Sequence, residues 1–399
     1  MRSNSPTRMF SHSQIDFDIL KKRAFNLRWA SVEEGVIPLT AADPDFKSAP
    51  EIAEAISQFS TDRYFSYAPP TGYDFFKEAM AEFFQLKRNI KAEPKFIFPV
   101  DSAAAGIDII CKAFLQPLDE AIIFNPVDFL FKYAIESNGG VAIPFAVPIN
   151  PEDALDYTAL AHLINAKTKM ICLCNPLNPT GKVFTATELQ IIGELAVKHQ
   201  LIILSDEIWS DIIFTPNIFT SIASLSDEIR QQTIVVTGFS KSYGLAGLRI
   251  GALMASNEMH YHILMQASNH LSTVHGSNVL SQVAATTALT KCNYWLEAFV
   301  QHLQRMRNIC VQRLNEIPGI SCYAPQGCYV VFANITGTTL SSANLQKILL
   351  EQAKVAVVPG LPQWFGTCAD GYIRISFATS EQVLQEAFSR METTLKSIV

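Results

Sequence analysis

Two cationic side chains, Lys241 and Arg249, stand eight positions apart in the otherwise uncharged stretch "GFSKSYGLAGLRIG". The run "TIVVT" just before it reads as a buried strand. A lysine at the end of such a strand, desolvated and close to other cations, can lose its proton and attack a carbonyl as an amine. An arginine beside it can take a phosphate in its planar fork. Taken alone, a lysine is more often a surface residue. A second feature lies upstream. In "LIILSDEIWSD", Asp206 follows another buried strand directly, where a carboxylate is costly unless paired. It could cap a helix, or it could face a cationic heterocycle and hold the ring nitrogen protonated. The third feature is "NPLNPTG", Asn175–Gly181, a rigid polar turn after the run "KMICLC". In α/β sheets ligands bind at such carboxyl ends of strands.

These residues need a sheet to hold them. Short apolar runs recur at 96–100, 120–125, 141–147, 169–174, 201–205, 233–237 and 249–255. Most are continuous, as expected when both faces of a sheet are covered. Helical patterns fill 102–116, 127–138 and 186–199. This alternation predicts an α/β fold with a mostly parallel sheet. After about residue 285 the rhythm changes. One long amphipathic helix is expected over 289–316, followed by "YVVFANI", "VAVVPG" and "YIRISFA", with helices near 341–353 and 380–398. That pattern predicts a smaller α+β domain. Residues 1–35 have weak periodicity and read as an arm lying on the small domain or on a partner subunit. The expected division is 1–45 for the arm and part of the small domain, 46–285 for the large domain and 286–399 for the small one.

Composition excludes several classes. A chain of 399 residues exceeds one ordinary core, so about two domains are expected. With 49% hydrophobic and 17% charged residues it is not a disordered chain. The net charge of −6 and the lack of a basic run leave no electrostatic footprint for nucleic acid. No apolar run reaches the roughly 18 residues that cross a bilayer, and the polar start "MRSNSPTRMFSHSQ" lacks a signal-peptide core. A cytoplasmic protein without membrane partners is expected. The eight cysteines are scattered without a CxxC pair, so neither a metal nor a disulfide framework is expected. No GxGxxG follows any strand, which argues against a nicotinamide dehydrogenase.

"NPLNPTG", then "SDE", then "SK…GLRIG", in this order, resemble the aminotransferase class I/II family, fold-type I enzymes that use pyridoxal 5'-phosphate (PLP). The resemblance runs over nearly the whole chain. It implies the PLP-dependent transferase fold: a large domain with a mostly parallel seven-stranded sheet plus a smaller α+β domain. It also implies roles. Lys241 would form a Schiff base with the cofactor and Asp206 would pair with the ring nitrogen. Asn178 would bond the ring hydroxyl oxygen, and Arg249 and Ser240 would serve the cofactor from the lysine's own segment. "DSAAAG" would supply the phosphate cup through Ser102, Ala103 and Ala104. "YAPPTG" places Tyr67 where the family reaches the phosphate of the other subunit, which implies a homodimer with shared active sites. "GYIRISFA" places Arg374 on the substrate α-carboxylate. "AADPDF" would add the backbone N–H of Ala42 to the same carboxylate.

Two positions depart from the family. Trp209 stands where a tyrosine usually serves the ring hydroxyl oxygen; its indole can donate but not accept. In "NPVDFLF" the position of the ring-stacking aromatic holds Asp128, and Phe129 follows, so Phe129 becomes the expected stacker. The implied reaction is transfer of an amino group from an amino acid to a 2-oxo acid, with free Lys241 as general base. The alternative is a cystathionine β-lyase-like C–S lyase, which "DFDILKKRAFNLRW", "ADPDF" and "SDEIWSD" resemble. "YAPPTG" and "GLAGLRIG" look more like aminotransferases, since the lyase branch often lacks the arginine found here as Arg249. A non-catalytic binding protein on the same fold is the reading from another class. A scaffold would need none of Lys241, Asp206 and Arg374. The loop "SNHLSTVHGSN" could bring His270 and His275 to a substrate side chain, although each is more simply a satisfied loop histidine.

Overall fold

The structure, a computed structural model, describes residues 9–398. The first eight residues of the expected arm and Val399 lie outside the described residues. The large sheet comprises β1 Ile97–Val100, β2 Glu120–Asn125, β3 Val141–Ala146, β4 Thr168–Cys174, β5 Ile202–Asp206, β6 Thr233–Gly238 and β7 Gly251–Ala255. Their order across the sheet is β1-β7-β6-β5-β4-β2-β3. All neighbouring pairs are parallel except those of β7, which runs antiparallel to β6 and β1. The chain between β6 and β7 holds only the short turn Ala246–Leu248. Without a crossover helix it returns antiparallel. Met170 to Cys174 and Ile203 to Leu204 are buried, which explains their unbroken apolar runs. Pro99 and Pro144 break the sequence pattern of β1 and β3, and both strands lie on sheet edges, where a missing N–H costs least.

The smaller sheet is antiparallel, in the order β9-β10-β8, from β8 Val330–Asn334, β9 Val358–Pro359 and β10 Tyr372–Ser376. A parallel pairing of Ile37–Pro38 with Val355–Ala356 ties the N-terminal segment to this side of the molecule. The long helix expected over 289–316 is instead two helices, Val279–Lys291 and Asn293–Glu316, parted at Cys292. Cys292 leaves helical geometry with ψ near 19°, although its N–H still reaches Ala288. Neither proline nor glycine marks the joint, so no local signal in the sequence ends a helix there.

The N-terminal arm lies on the small-domain side. Phe10 is buried among Phe46, Trp295, Phe299 and His302. A second tie is ionic. Arg28 and Asp45 are both buried and directly paired, and the Trp29 indole N–H donates to the same carboxylate at 2.7 Å. Arg28 also donates to the carbonyl of Pro38 at 2.7 Å. The segments "FNLRW" and "ADPDF" are therefore one structural unit, which gives both a packing reason to occur together. The second oxygen of Asp45 is buried without a hydrogen-bond partner. Removing its cation leaves a buried, unpaired charge. We expect Arg28→Ala to lower unfolding free energy by about 3–5 kcal/mol, measured by urea denaturation. A loss below about 1 kcal/mol, the size of an exposed pair, would contradict the pairing.

Candidate active site

The parallel strands of the large sheet deliver their ends to one cavity of about 620 Å³. β1 runs into Ser102, β2 into Asp128 and Phe129, and β4 into Asn178. β5 ends on Asp206 with Trp209 beyond, and β6 leads to Ser240 and Lys241. Arg249 enters from the β6–β7 connection, Arg374 from β10 and Ala42 from the N-terminal segment. Of the thirteen residues given a cofactor or α-carboxylate role from the sequence, twelve thus line one cavity; Tyr67 does not.

One end of the cavity is built for an anion. Ser102 caps the helix Ala103–Phe114, its hydroxyl accepting from the N–H of Ala105 at 3.1 Å. The first amides of a helix have no partner within it and carry its positive pole. Arg249 donates to the Ser102 hydroxyl at 3.0 Å. It holds a left-handed backbone, φ 50°, which a non-glycine residue adopts only under constraint. Gly251 lets β7 pass close beneath this turn. A Cβ there would lie 2.7 Å from the carbonyl of Thr237 and 3.1 Å from the nitrogen of Ala103. Backbone amides at a helix start with a guanidinium beside them are the donor types that suit a phosphate.

The other end is built for a cation. Asp206 is 6% exposed and accepts the N–H of Ile208 at 3.0 Å. The buried thiol of Cys174 stands 3.9 Å from its second oxygen. Burial pushes the Asp206 carboxyl up to about 7; the Ile208 N–H opposes this, while Asp128 and Glu207 add to it. No ion pair joins Asp206 to a described residue. A carboxylate that reaches a ligand cavity in this condition is relieved by a cationic partner. The donor set therefore fits a group with a phosphate at one end and a protonated ring nitrogen at the other.

Lys241 lines the same cavity, half-buried. Its Nζ donates to the carbonyl of Ala42 at 2.7 Å and stands 5.3 Å from the centre of the Trp209 ring. Tyr329, fully buried, donates to the same carbonyl at 3.1 Å. Burial pushes the Lys241 ammonium below its ordinary range; Asp43 opposes this and Arg374 reinforces it. The lysine's neighbour is anchored from behind. Ser242 donates to Asp211 at 2.7 Å, and Asp211 pairs with the buried Arg88. Tyr329, Arg88 and Asp211 stand outside the residues expected in the site. Only Asp211 had a local signal, as the last residue of "SDEIWSD".

Arg374 is 8% exposed, against the ring of Phe365, and donates to the side chain of Asn178 at 3.2 Å and to the carbonyl of Thr40 at 3.3 Å. Asp128 stands 3.7 Å from the same guanidinium and accepts from the Asn178 amide at 2.9 Å. Phe129 meets Trp364 edge-on at 5.5 Å and is 38% exposed. Trp209 packs against Tyr329, ring centres 4.7 Å apart. At Ala42 the carbonyl, not the expected N–H, makes the described bonds. Tyr67 is 86% exposed, 5.3 Å from the ring of His275. His270 is buried on the carbonyl of Pro99 at 2.9 Å, and neither histidine lines the cavity.

The lowered acidity range of Lys241 has a readable sign. Its amine becomes neutral, hence reactive toward an aldehyde, at lower pH than an ordinary lysine near 10.4. In cofactor-free protein, borohydride trapping of PLP on the Lys241 peptide should rise with a midpoint below that of exposed lysines. An equal or higher midpoint would contradict the burial argument.

Residues 34–391 match the family model described as "Aminotransferase class I and II". The chain is 33% identical over 367 residues to aromatic-amino-acid aminotransferase 2 of Thermococcus litoralis, covering 91% of this chain and 92% of that protein. It is 33% identical over 365 residues to an aspartate aminotransferase of Pyrococcus abyssi, covering 90% and 92%. The PLP-bound structure of a Clostridium difficile 630 protein superposes with a TM-score of 0.85 at 26% identity, covering 96% of each chain. This chain belongs to the aminotransferase class I and II family of PLP-dependent, fold-type I enzymes.

Proposed function

We propose that Lys241 both anchors the cofactor and moves the substrate's α-proton, in an aminotransferase that passes an amino group from an amino acid to a 2-oxo acid. The observation that carries this reading is the position of Nζ on the Ala42 carbonyl, in the cavity that Asp206 and Arg374 also line, where burial lowers its pKa. When bound, PLP supplies a carbonyl for the amine and a protonated ring that takes up the electrons released at the substrate α-carbon. The chain's residues do the rest. Asp206 keeps the ring nitrogen protonated. Ser102, Ala103, Ala104, Arg249 and Ser240 hold the phosphate end. Arg374 orients the α-carboxylate so that the α-hydrogen faces Nζ. Asn178 steadies Arg374, since its amide joins that guanidinium to Asp128. Trp209, Phe129 and Trp364 wall off water.

We further propose a cytoplasmic homodimer. No helix among the described residues is long and apolar enough to cross a membrane. Tyr67 stands too far out to serve its own cavity and is offered to a second subunit. Tyr67→Phe should weaken PLP binding by roughly threefold to tenfold, the worth of one hydrogen bond, in an equilibrium titration, while sedimentation shows a dimer. A fully active monomer would overturn the shared site.

A single half-turnover tests the reaction. The purified protein should be yellow, and borohydride should fix the cofactor on the Lys241 peptide. Given an amino acid and no 2-oxo acid, it should release about one 2-oxo acid per subunit and stop. Lys241→Ala should lose at least about a thousandfold in rate. Continuous release of ammonia and pyruvate from cystathionine would instead establish the lyase.

A further inference from the structure

The cavity holds a second carboxylate that the cofactor does not use. It belongs to Asp128, at the position where the family carries a ring-stacking aromatic. We propose that Asp128 is a specificity-determining residue: it is the resident counter-ion of Arg374, and it restricts the enzyme to amino acids with one carboxylate and a neutral side chain. The inference rests on Arg374 receiving the substrate α-carboxylate.

Asp128 is firmly placed. One oxygen accepts from the N–H of Leu130 at 3.3 Å, the other from the Asn178 amide at 2.9 Å. Its own N–H donates to the Asn178 carbonyl at 3.2 Å. That second oxygen lies 3.7 Å from Arg374, whose side chain is only 10% exposed. A guanidinium so buried requires an anion, and Asp128 supplies it before substrate arrives. The Nε of Arg374 is buried without a partner, so the group has donor capacity left for one incoming carboxylate.

A second carboxylate on the substrate meets different conditions. Among the described residues of one subunit, the cations lining the cavity are Lys241, Arg249 and Arg374. The first is committed to the cofactor, and the second is tied to Ser102 at the phosphate end. The third already faces Asp128 and would receive the α-carboxylate. A side-chain carboxylate would therefore enter beside Asp128 with no cation of its own, and like charges at such range repel. Apart from Asn26 the remaining wall is apolar, with Leu27, Trp364, Phe365 and Val358 among it. Such a surface favours a hydrophobic side chain over a cationic one.

The test uses the PLP-loaded enzyme. First, kcat/KM is measured for phenylalanine, leucine, aspartate and ornithine. Phenylalanine or leucine should exceed both aspartate and ornithine by at least about tenfold. Second, calorimetry compares two non-reacting acids, 3-phenylpropionate and succinate. Asp128→Asn, which is nearly isosteric, should narrow the preference for 3-phenylpropionate by about tenfold. Asp128→Glu, which keeps the charge, should keep the preference. A wild type that favours aspartate or ornithine would overturn the proposal, as would an Asn variant that shifts both acids by the same factor. Loss of the visible cofactor band in the wild type would overturn the Lys241 reading itself, a failure separable from that of Asp128.

Discussion

A carboxylate buried at the end of an apolar strand must be neutralised, and the site is organised around that requirement at Asp206. Its strand lies among parallel neighbours with both faces covered, so water does not relieve the charge. Burial drives its carboxyl up to about 7 without a ligand. A protonated ring nitrogen reverses that cost, so cofactor binding and the protonation state that catalysis needs become one event. Lys241 is the complementary case. Burial disfavours its charge, so the same desolvation that makes Asp206 seek a cation lowers the Lys241 pKa toward the neutral amine.

Behind the cavity wall lies a second layer of buried polar groups that hold the first in place. Arg88 and Asp211 fix Ser242 next to Lys241. Glu207 follows Asp206 but turns away from the cavity, toward Ser205 and Ser221. Burial pushes it up to about 7 as well. Adjacent carboxylates with opposite directions thus divide the work, one facing the ligand and one bracing the strand end. The pairing of Arg28 with Asp45 does the same for the N-terminal segment, setting the Ala42 carbonyl above Lys241. That pairing also accounts for motifs that the chain shares with a lyase branch: they hold a backbone segment in position and do not by themselves choose the reaction.

Much of the fold was legible because its signals are local. An unbroken apolar run buried on both faces needs no partner to be recognised, and β4, β5 and β6 fall where the runs "KMICLC", "LIILS" and "TIVVT" stand. The turn "NPLNPTG" is stiff from its own residues. What was not legible depended on contacts between distant segments. Arg88 and Tyr329 looked like ordinary helix and strand residues, and only the packing of helix on sheet brings them to Lys241. The break at Cys292 escaped because neither proline nor glycine stands there to signal it.

The sequence by itself determined which residue types stand at the strand ends, and hence the chemistry available: an amine, a carboxylate, two guanidinium groups and a polar turn. These follow from composition and order along the chain, which no fold can alter. The tertiary structure decided what each group faces. It turned His270 onto a backbone carbonyl, set Phe129 edge-on to Trp364 and brought Asp128 against Arg374. Direction and charge balance are properties of three-dimensional neighbours. The chain between Asp128 and Arg374 spans most of the molecule, so only folding could make them a pair.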